Sequence, residues 1–145
     1  TALYSSTGDI FRNSCDQALR LFHQAGFPKE MLLMGAAFYS RKWENVKDRY
    51  HGFLQYTEKG GGYGPNYDEL AEKYIDKNGY VSYWDDEAKA PFLFNGSTFI
   101  SYDDERSLAC KCRYVKEEGI GGIFYWCHSG DTSGVLLRKI GEEIR

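Results

Sequence analysis

The sequence predicts an α/β fold interrupted by a small α+β unit, and three observations carry that expectation. Two short apolar runs, MLLMGAAF (31–38) and IGGIFYW (120–126), each follow an amphipathic helical pattern and a turn. That is the order expected of buried strands in a parallel sheet. Between them, residues 42–99 carry aromatic, roughly alternating stretches around an Asn95-Gly96 pair, the strongest short signal for an antiparallel hairpin. A third helical pattern closes the chain, so the order is helix, strand, insertion, helix, strand, helix.

Each element follows from local chemistry. In SCDQALRLFHQAG, Ser14 caps a helix, Gln17 completes an S-x-x-Q box, and Cys15, Ala18, Leu19 and Phe22 share one stripe. Gly26 and Pro28 stop it. MLLMGAAF is short and continuously apolar, as a strand covered on both faces would be. In the insertion, YHGFLQYT alternates and KGGGYGP reads as a glycine-rich loop. NYDELAEKYI places Tyr67, Leu70, Ala71 and Tyr74 at helical spacing, with Asn66 and Glu69 as a cap pair. GYVSYW, PFLF and STFISY read as strands. DDERSLACKCRYVKEEG is a helix capped by Asp103 or Asp104, burying Leu108, Cys112 and Val115 and ended by Gly119. DTSGVLLRKIGEEIR is the last helix, with Leu137, Ile140 and Ile144 turned inward.

Composition narrows the function classes. At 145 residues the chain has the size of one domain. A net charge of −3 gives no electrostatic basis for a nucleic-acid or membrane partner. The four cysteines include no CxxC pair and the three histidines lie far apart in sequence, so neither a metal site nor any other cofactor is expected, and the thiols read as free and mostly buried. No apolar run approaches the roughly 20 residues of a membrane span. The opening TALYSSTGD shows no secretory leader and reads as the middle of a loop. The aromatic content of 17% is the outlier; flat rings at that density fill a core or line a ligand groove.

In parallel α/β folds ligands sit beyond the carboxyl ends of the strands. There the first strand continues into AAFYSRKW, and period two places Tyr39, Arg41 and Trp43 on one side. The second strand ends in Trp126, on the side of Phe124 and Gly122. A guanidinium, a phenol and an indole suit a neutral, hydroxyl-rich ring, whose CH face stacks on the indole while Arg and Tyr hydrogen-bond its oxygens. GGGYG lacks the spacing and the lysine of a phosphate loop. Asp103, Asp104 and Glu105 open a helix, where acids cap the chain and meet the dipole, so they read as structural.

Taken in order, five stretches give the chain a family resemblance: TALYSS with SCDQALRLFHQAGFPKE, then MLLMGAAFYSRKW, WDDEAKAPFLFNGSTFISYDDERSL, KCRYVKEEGIGGIFYW and DTSGVLLRKI. Together they resemble the C-terminal part of a family 18 glycoside hydrolase, the chitinase type, over essentially the whole chain. The resemblance implies the C-terminal portion of a TIM (β/α)8 barrel, its seventh and eighth strands with their helices, in residues 1–41 and 100–145. An α+β chitinase insertion domain would occupy residues 42–99. It implies that Trp126 floors the subsite of the attacked sugar, that the paired glycines before it permit close packing, that Tyr39 and Arg41 line the cleft, and that Tyr83, Trp84 and Asp85 of the insertion wall contact a polymer chain. Chitin or N-acetylglucosamine oligosaccharides are the implied ligands, and the extracellular space the implied location.

The sequence departs from the family pattern at Ala37, where relatives carry Pro, and at Ser40, where they carry Gly. The DxxDxDxE motif that supplies the acid for substrate-assisted catalysis is absent, as is the Met-x-Tyr-Asp of the sixth strand. The chain is therefore expected to be an inactive fragment of a hydrolase, leaving strand edges that the missing barrel half or self-association would cover. A chitinase-like lectin, a peptidoglycan-directed N-acetylglucosaminidase and a free-standing carbohydrate-binding module are the competing readings.

Overall fold

A computed structural model describes residues 2–145; Thr1, the first residue of the TALYSS stretch, lies outside them. The elements are α1 (Cys15–Gln24), β1 (Leu33–Ala37), β2 (Tyr39–Trp43), β3 (Gly62–Asn66), α2 (Tyr67–Lys73), β4 (Val81–Asp85), β5 (Ala90–Phe94), β6 (Phe99–Ser101), α3 (Glu105–Glu118), β7 (Gly122–Trp126) and α4 (Val135–Glu143). β1 and β7 form a parallel pair, in register from Leu33 opposite Gly122 to Ala37 opposite Trp126. The other strands form an antiparallel sheet in the order β3-β2-β6-β5-β4. The chain is thus α/β with an antiparallel sheet built between its parallel strands.

The helix signals act as their chemistry dictates. The Ser14 hydroxyl accepts from the Gln17 N–H at 3.2 Å. Asp104, rather than Asp103, caps α3, exchanging hydrogen bonds with Ser107 in a reciprocal box. Gly119 ends α3 with φ +68°, a left-handed conformation that glycine adopts without strain. Leu108, Cys112 and Val115 of α3 are buried; on α4 it is Leu136 with Ile140 that is buried, and Leu137 only packs against them. Phe38, Leu70, Leu93, Ile100 and Tyr102 join Ala36, Leu108, Cys112, Leu136 and Ile140 in one core to which both sheets contribute, while Val115 packs with Leu19 and Met34 in a second.

Several expectations give way to the structure. The strand after MLLMGAA does not continue through FYSRKW. Phe38 interrupts it, and Tyr39, Arg41 and Trp43 belong to β2 of the antiparallel sheet. That sheet runs from Tyr39 to Ser101, a few residues beyond the expected 42–99 at each end. YHGFLQYT forms a short 3-10 turn at Tyr50–Gly52 with left-handed residues around it, not a strand. Half of the glycine-rich stretch is strand β3, and Asn66 precedes α2 without capping it. Ser40 is accommodated because Gly64 lies across from it: the Ser40 hydroxyl donates to the Pro65 carbonyl at 2.6 Å, and a Cβ at position 64 would collide with that hydroxyl. Gly121 makes another close approach, its would-be Cβ pressing on the Glu30 carbonyl in the turn before β1.

The parallel pair is covered on one face only. Met34 and Ala36 are buried against the helices, while Leu33 is 53% and Phe124 49% exposed. The α1 stripe divides the same way: Cys15 and Leu19 are buried, but Ala18 is exposed and Phe22 is 52% exposed. Together with Phe27 and Met31 these side chains line an open apolar groove of about 600 Å³ beside the free edge of β1. An exposed apolar patch of this kind marks an interaction surface.

Two outcomes are expected. The isolated chain should bind an apolar dye such as anilinonaphthalene sulfonate, or self-associate; a monodisperse monomer that leaves the dye dark would contradict the open groove. Gly64→Ala should destabilise the chain by about 1–3 kcal/mol through overpacking, and much less in a Ser40→Gly background. Urea unfolding of the four proteins measures the coupling, and equal losses in both backgrounds would remove the Ser40–Gly64 fit as the cause.

Candidate functional site

The carboxyl ends of β1 and β7 meet where the chain passes from one sheet to the other. The Phe38 N–H donates to the Trp126 carbonyl at 2.8 Å, and the Phe38 carbonyl accepts from the Tyr67 N–H at 3.1 Å. Phe38 is fully buried and stacks on Tyr125 with ring centres 4.7 Å apart. Gly130 presses so closely on the Phe38 carbonyl that no side chain could fit there. This packing holds the β7 backbone while the Trp126 indole stays 67% exposed. The peptide bond after Trp126 is cis.

Trp126 shares the open groove with Tyr39, Phe124, Gly35 and Ala37. Tyr39 is half-buried and packs edge-to-face on Tyr63, centres 5.6 Å apart. Arg41 lies with its guanidinium 5.1 Å from the centre of the same Tyr63 ring and donates to the Gly61 carbonyl at 3.1 Å. Tyr63 therefore joins Tyr39 to Arg41. Sequence reading missed it because it lies within GGGYG; the alternation of a strand opposite β2 was the available signal. Arg41 does not line the groove that holds Trp126.

Tyr83, Trp84 and Asp85 sit on β4, the edge of the antiparallel sheet opposite β3, and the structure does not bring them to Trp126. Tyr83 stacks with His51 at 4.2 Å and with Phe92 at 5.3 Å. The Trp84 ring is covered by the Arg106 guanidinium, 3.8 Å from its centre. Asp85 accepts from the Ser6 hydroxyl and from the Glu87 N–H, fastening the N-terminal segment to the β4–β5 turn. Trp43 turns to a second cavity of about 470 Å³, walled by Phe92 and Phe99 of the sheet and by Phe53, Tyr4 and Phe11 outside it. The period-two pattern of PFLF and STFIS carried the signal for that wall.

Electrostatics near the two sheets centre on adjacent acids with opposite tendencies. Burial raises the Asp104 carboxyl above its ordinary range, against the pull of its Ser107 hydrogen bonds. Asp103 is fully buried, which opposes its ionisation. The Lys111 ammonium at 2.6 Å and the Ala37 N–H at 2.9 Å nonetheless hold its carboxyl below the usual range. Burial, then the carboxylates of Glu105, Asp104, Asp131 and Asp68, pushes the Tyr67 phenol up to about 12. These acids hold helix ends and strand ends, and none lines the groove of Trp126. Among the described residues, no three His, Cys, Asp or Glu side chains gather as a metal site would require, and no helix is long and apolar enough to cross a membrane. What the groove presents at this end is an exposed indole and a half-buried phenol, with no titratable carboxyl among the described residues lining it.

Comparison with known proteins places this geometry. The profile of glycosyl hydrolases family 18 matches residues 1–131. Chitinase A1 of Niallia circulans is 38% identical over 128 residues, covering 83% of this chain and 18% of its own length. A probable endochitinase of Caenorhabditis elegans is 38% identical over 120 residues, covering 77% and 19%. The chain thus spans under a fifth of the length of these two relatives. Among solved structures, a family 18 N-acetylglucosaminidase from Paenibacillus barengoltzii superposes with a TM-score of 0.97 at 50% identity, covering 99% of this chain and 42% of that one. A cell-surface-expressed multi-modular chitinase from Paenibacillus sp. str. FPU-7 gives 0.90 at 42% identity, covering 99% and 17%. The protein belongs to glycosyl hydrolase family 18.

Proposed function

We propose that this chain forms part of the sugar-binding cleft of a chitinase-type hydrolase acting on β-1,4-linked N-acetylglucosamine polymers outside the cell. On this reading β1 and β7 are the seventh and eighth strands of a (β/α)8 barrel, and the sheet from Tyr39 to Ser101 with α2 is the insertion domain. The free edge of β1 and the apolar side chains of Phe22, Phe27, Met31 and Leu33 beside it then pack against the remaining barrel strands, leaving the Trp126 end of the groove open to sugar. The observation that carries the reading is the exposed Trp126 indole, held at the carboxyl end of β7 in a groove it shares with Tyr39. The 50% identity to a family 18 N-acetylglucosaminidase supports it.

The chemistry follows from the residues present. Trp126 offers a flat apolar face to the CH side of a pyranose, with Tyr39 as a hydroxyl partner at its edge. Arg41, steadied by Tyr63, reaches a neighbouring sugar's oxygens. Tyr83, Trp84 and Asp85 belong to the wall, their side chains engaged by His51, Arg106 and Ser6. Hydrolysis in this scheme is substrate-assisted and retaining: the acetamido carbonyl attacks its own anomeric carbon while a glutamic acid protonates the leaving oxygen. The 145 residues contain no DxxDxDxE motif to supply that acid, so this chain alone should bind and not cleave. The 50% identity to a family 18 N-acetylglucosaminidase favours a second reading, in which the parent enzyme is an N-acetylglucosaminidase; in our reading such an enzyme would engage few sugars at once.

Calorimetric titration with chitin oligosaccharides tests both. Trp126→Ala should weaken binding at least about tenfold, the loss of roughly 1.4 kcal/mol that one stacking platform represents, without loss of folded structure by circular dichroism. Unchanged affinity would end the assignment of Trp126. Affinity that rises from dimer to hexamer supports polymer cleavage; affinity that levels off at the disaccharide supports the second reading. No reducing sugar should be released by the chain alone.

A further inference from the structure

Asp103 belongs to a helix entrance that the cap alone does not explain. Asp104 is the residue that caps α3, and Asp103 is left fully buried with its partner Lys111, both side chains at 0% exposure. Its Oδ2 accepts from the Lys111 ammonium at 2.6 Å and from the Ala37 N–H at 2.9 Å, and its Oδ1 accepts from the Ser107 hydroxyl at 3.0 Å. A buried ion pair is a poor source of net stability, because desolvation of both charges offsets their attraction. What it supplies is a fixed point. That point is the last residue of β1: Ala37 faces Trp126 across the parallel pair, and the next N–H, of Phe38, donates to the Trp126 carbonyl at 2.8 Å. The segment is held on one edge by the Asp103 carboxylate and on the other by the backbone of Trp126, and the residue that follows is Tyr39.

We infer that Asp103, with Lys111 behind it, is a positioning residue for the Trp126–Tyr39 platform, acting through the Ala37 N–H on the strand end where the two aromatic side chains are set. It touches no sugar. The sugar-binding part of this inference rests on the function proposed above; the placement of Trp126 does not. Without the carboxylate, the edge of Ala37 loses its acceptor, and the paired strand ends are free to shift by an amount that stacking geometry does not tolerate.

The test compares two double variants of the whole chain labelled with 5-fluorotryptophan, the Trp126 resonance being assigned by its loss in Trp126→Phe. Asp103→Asn with Lys111→Met removes both charges and keeps an acceptor for Ala37. Asp103→Leu with Lys111→Met removes the acceptor as well. The first should keep the Trp126 fluorine resonance and the affinity for chitotetraose near those of wild type. The second, still folded by circular dichroism, should displace the Trp126 resonance, leave that of Trp84 in place and weaken chitotetraose binding roughly tenfold or more. A Trp126 resonance unmoved in the leucine variant, or moved equally in both, would overturn the inference. If wild type itself fails to bind chitotetraose, the proposed function fails and the resonance still decides this point. If the leucine variant does not fold, amide exchange in wild type decides. An Ala37 amide as slow as that of Phe38 agrees with the carboxylate clamp, and fast exchange at Ala37 beside a slow Phe38 overturns it.

Discussion

The hydrogen bond from the Phe38 N–H to the Trp126 carbonyl, at 2.8 Å, is the junction on which the molecule depends. It is the last rung of the parallel pair and the first residue beyond β1. One residue later the chain enters a sheet of the opposite pairing sense. The backbone can change sheets there because Phe38 spends its side chain on the shared core, its N–H on β7 and its carbonyl on the N–H of Tyr67 at the start of α2. Both backbone groups of the buried Phe38 are paired, as burial demands. Gly130 completes the closure from the far side, where any larger residue would push the Phe38 carbonyl away.

Around that junction the charges divide by depth. The surface pairs, such as Lys29 with Glu118 and Lys139 with Glu143, are solvated and contribute little, as exposed ion pairs generally do. The Asp103–Lys111 pair differs in kind, because removing one partner strands the other charge without water. The carboxyl of Asp103 is held below the ordinary range in the folded chain. Its contribution to stability is therefore complete at neutral pH, persists down to the ordinary carboxylate range near pH 4 and is lost as the pH falls through the lowered folded value. At the other loop the buried Asp131 carboxylate accepts from the N–H groups of Leu136 and Leu137 and so fixes the start of α4. Asp68 reaches across from α2 to the Thr132 N–H, fastening the loop that follows Trp126 to the antiparallel layer. Carboxylates thus set the loops around the Trp126 strand end without lining its groove.

The sequence was legible where local chemistry decides structure. Ser14, the Asp103–Ser107 region and Gly119 marked helix ends; the Asn95-Gly96 turn marked a hairpin, in which the Asn95 side chain accepts from the Ser97 and Thr98 N–H groups. It was less legible where pairing partners lie far away in the chain. Nothing local distinguishes Tyr39 as a continuation of β1 from Tyr39 as the start of β2, because period two holds in both. Gly62 to Asn66 looked like a loop because strand propensity is low in glycine, yet contact with Ser40 requires Gly64 there. The expected burial of both faces of β1 failed for another reason: an apolar run reports which surfaces need cover, not whether this chain supplies it. Strand-end reasoning expected Trp126 and Tyr39 near each other, and both line one groove. Tyr63 was not expected there, and the β4 residues Tyr83, Trp84 and Asp85 fell on a distant edge that their position in the sequence could not reveal.

The central claim is that sugar is received at the ends of β1 and β7. The most direct measurement is an amide chemical-shift map of the chain titrated with chitotetraose. The account expects perturbations centred on Ala37, Tyr39, Tyr63 and Trp126, with the indole N–H of Trp126 moving most and that of Trp84 still. Shifts centred on Trp84 and Arg106 at the β4 edge, or a map unchanged by saturating sugar in a folded chain, would contradict it.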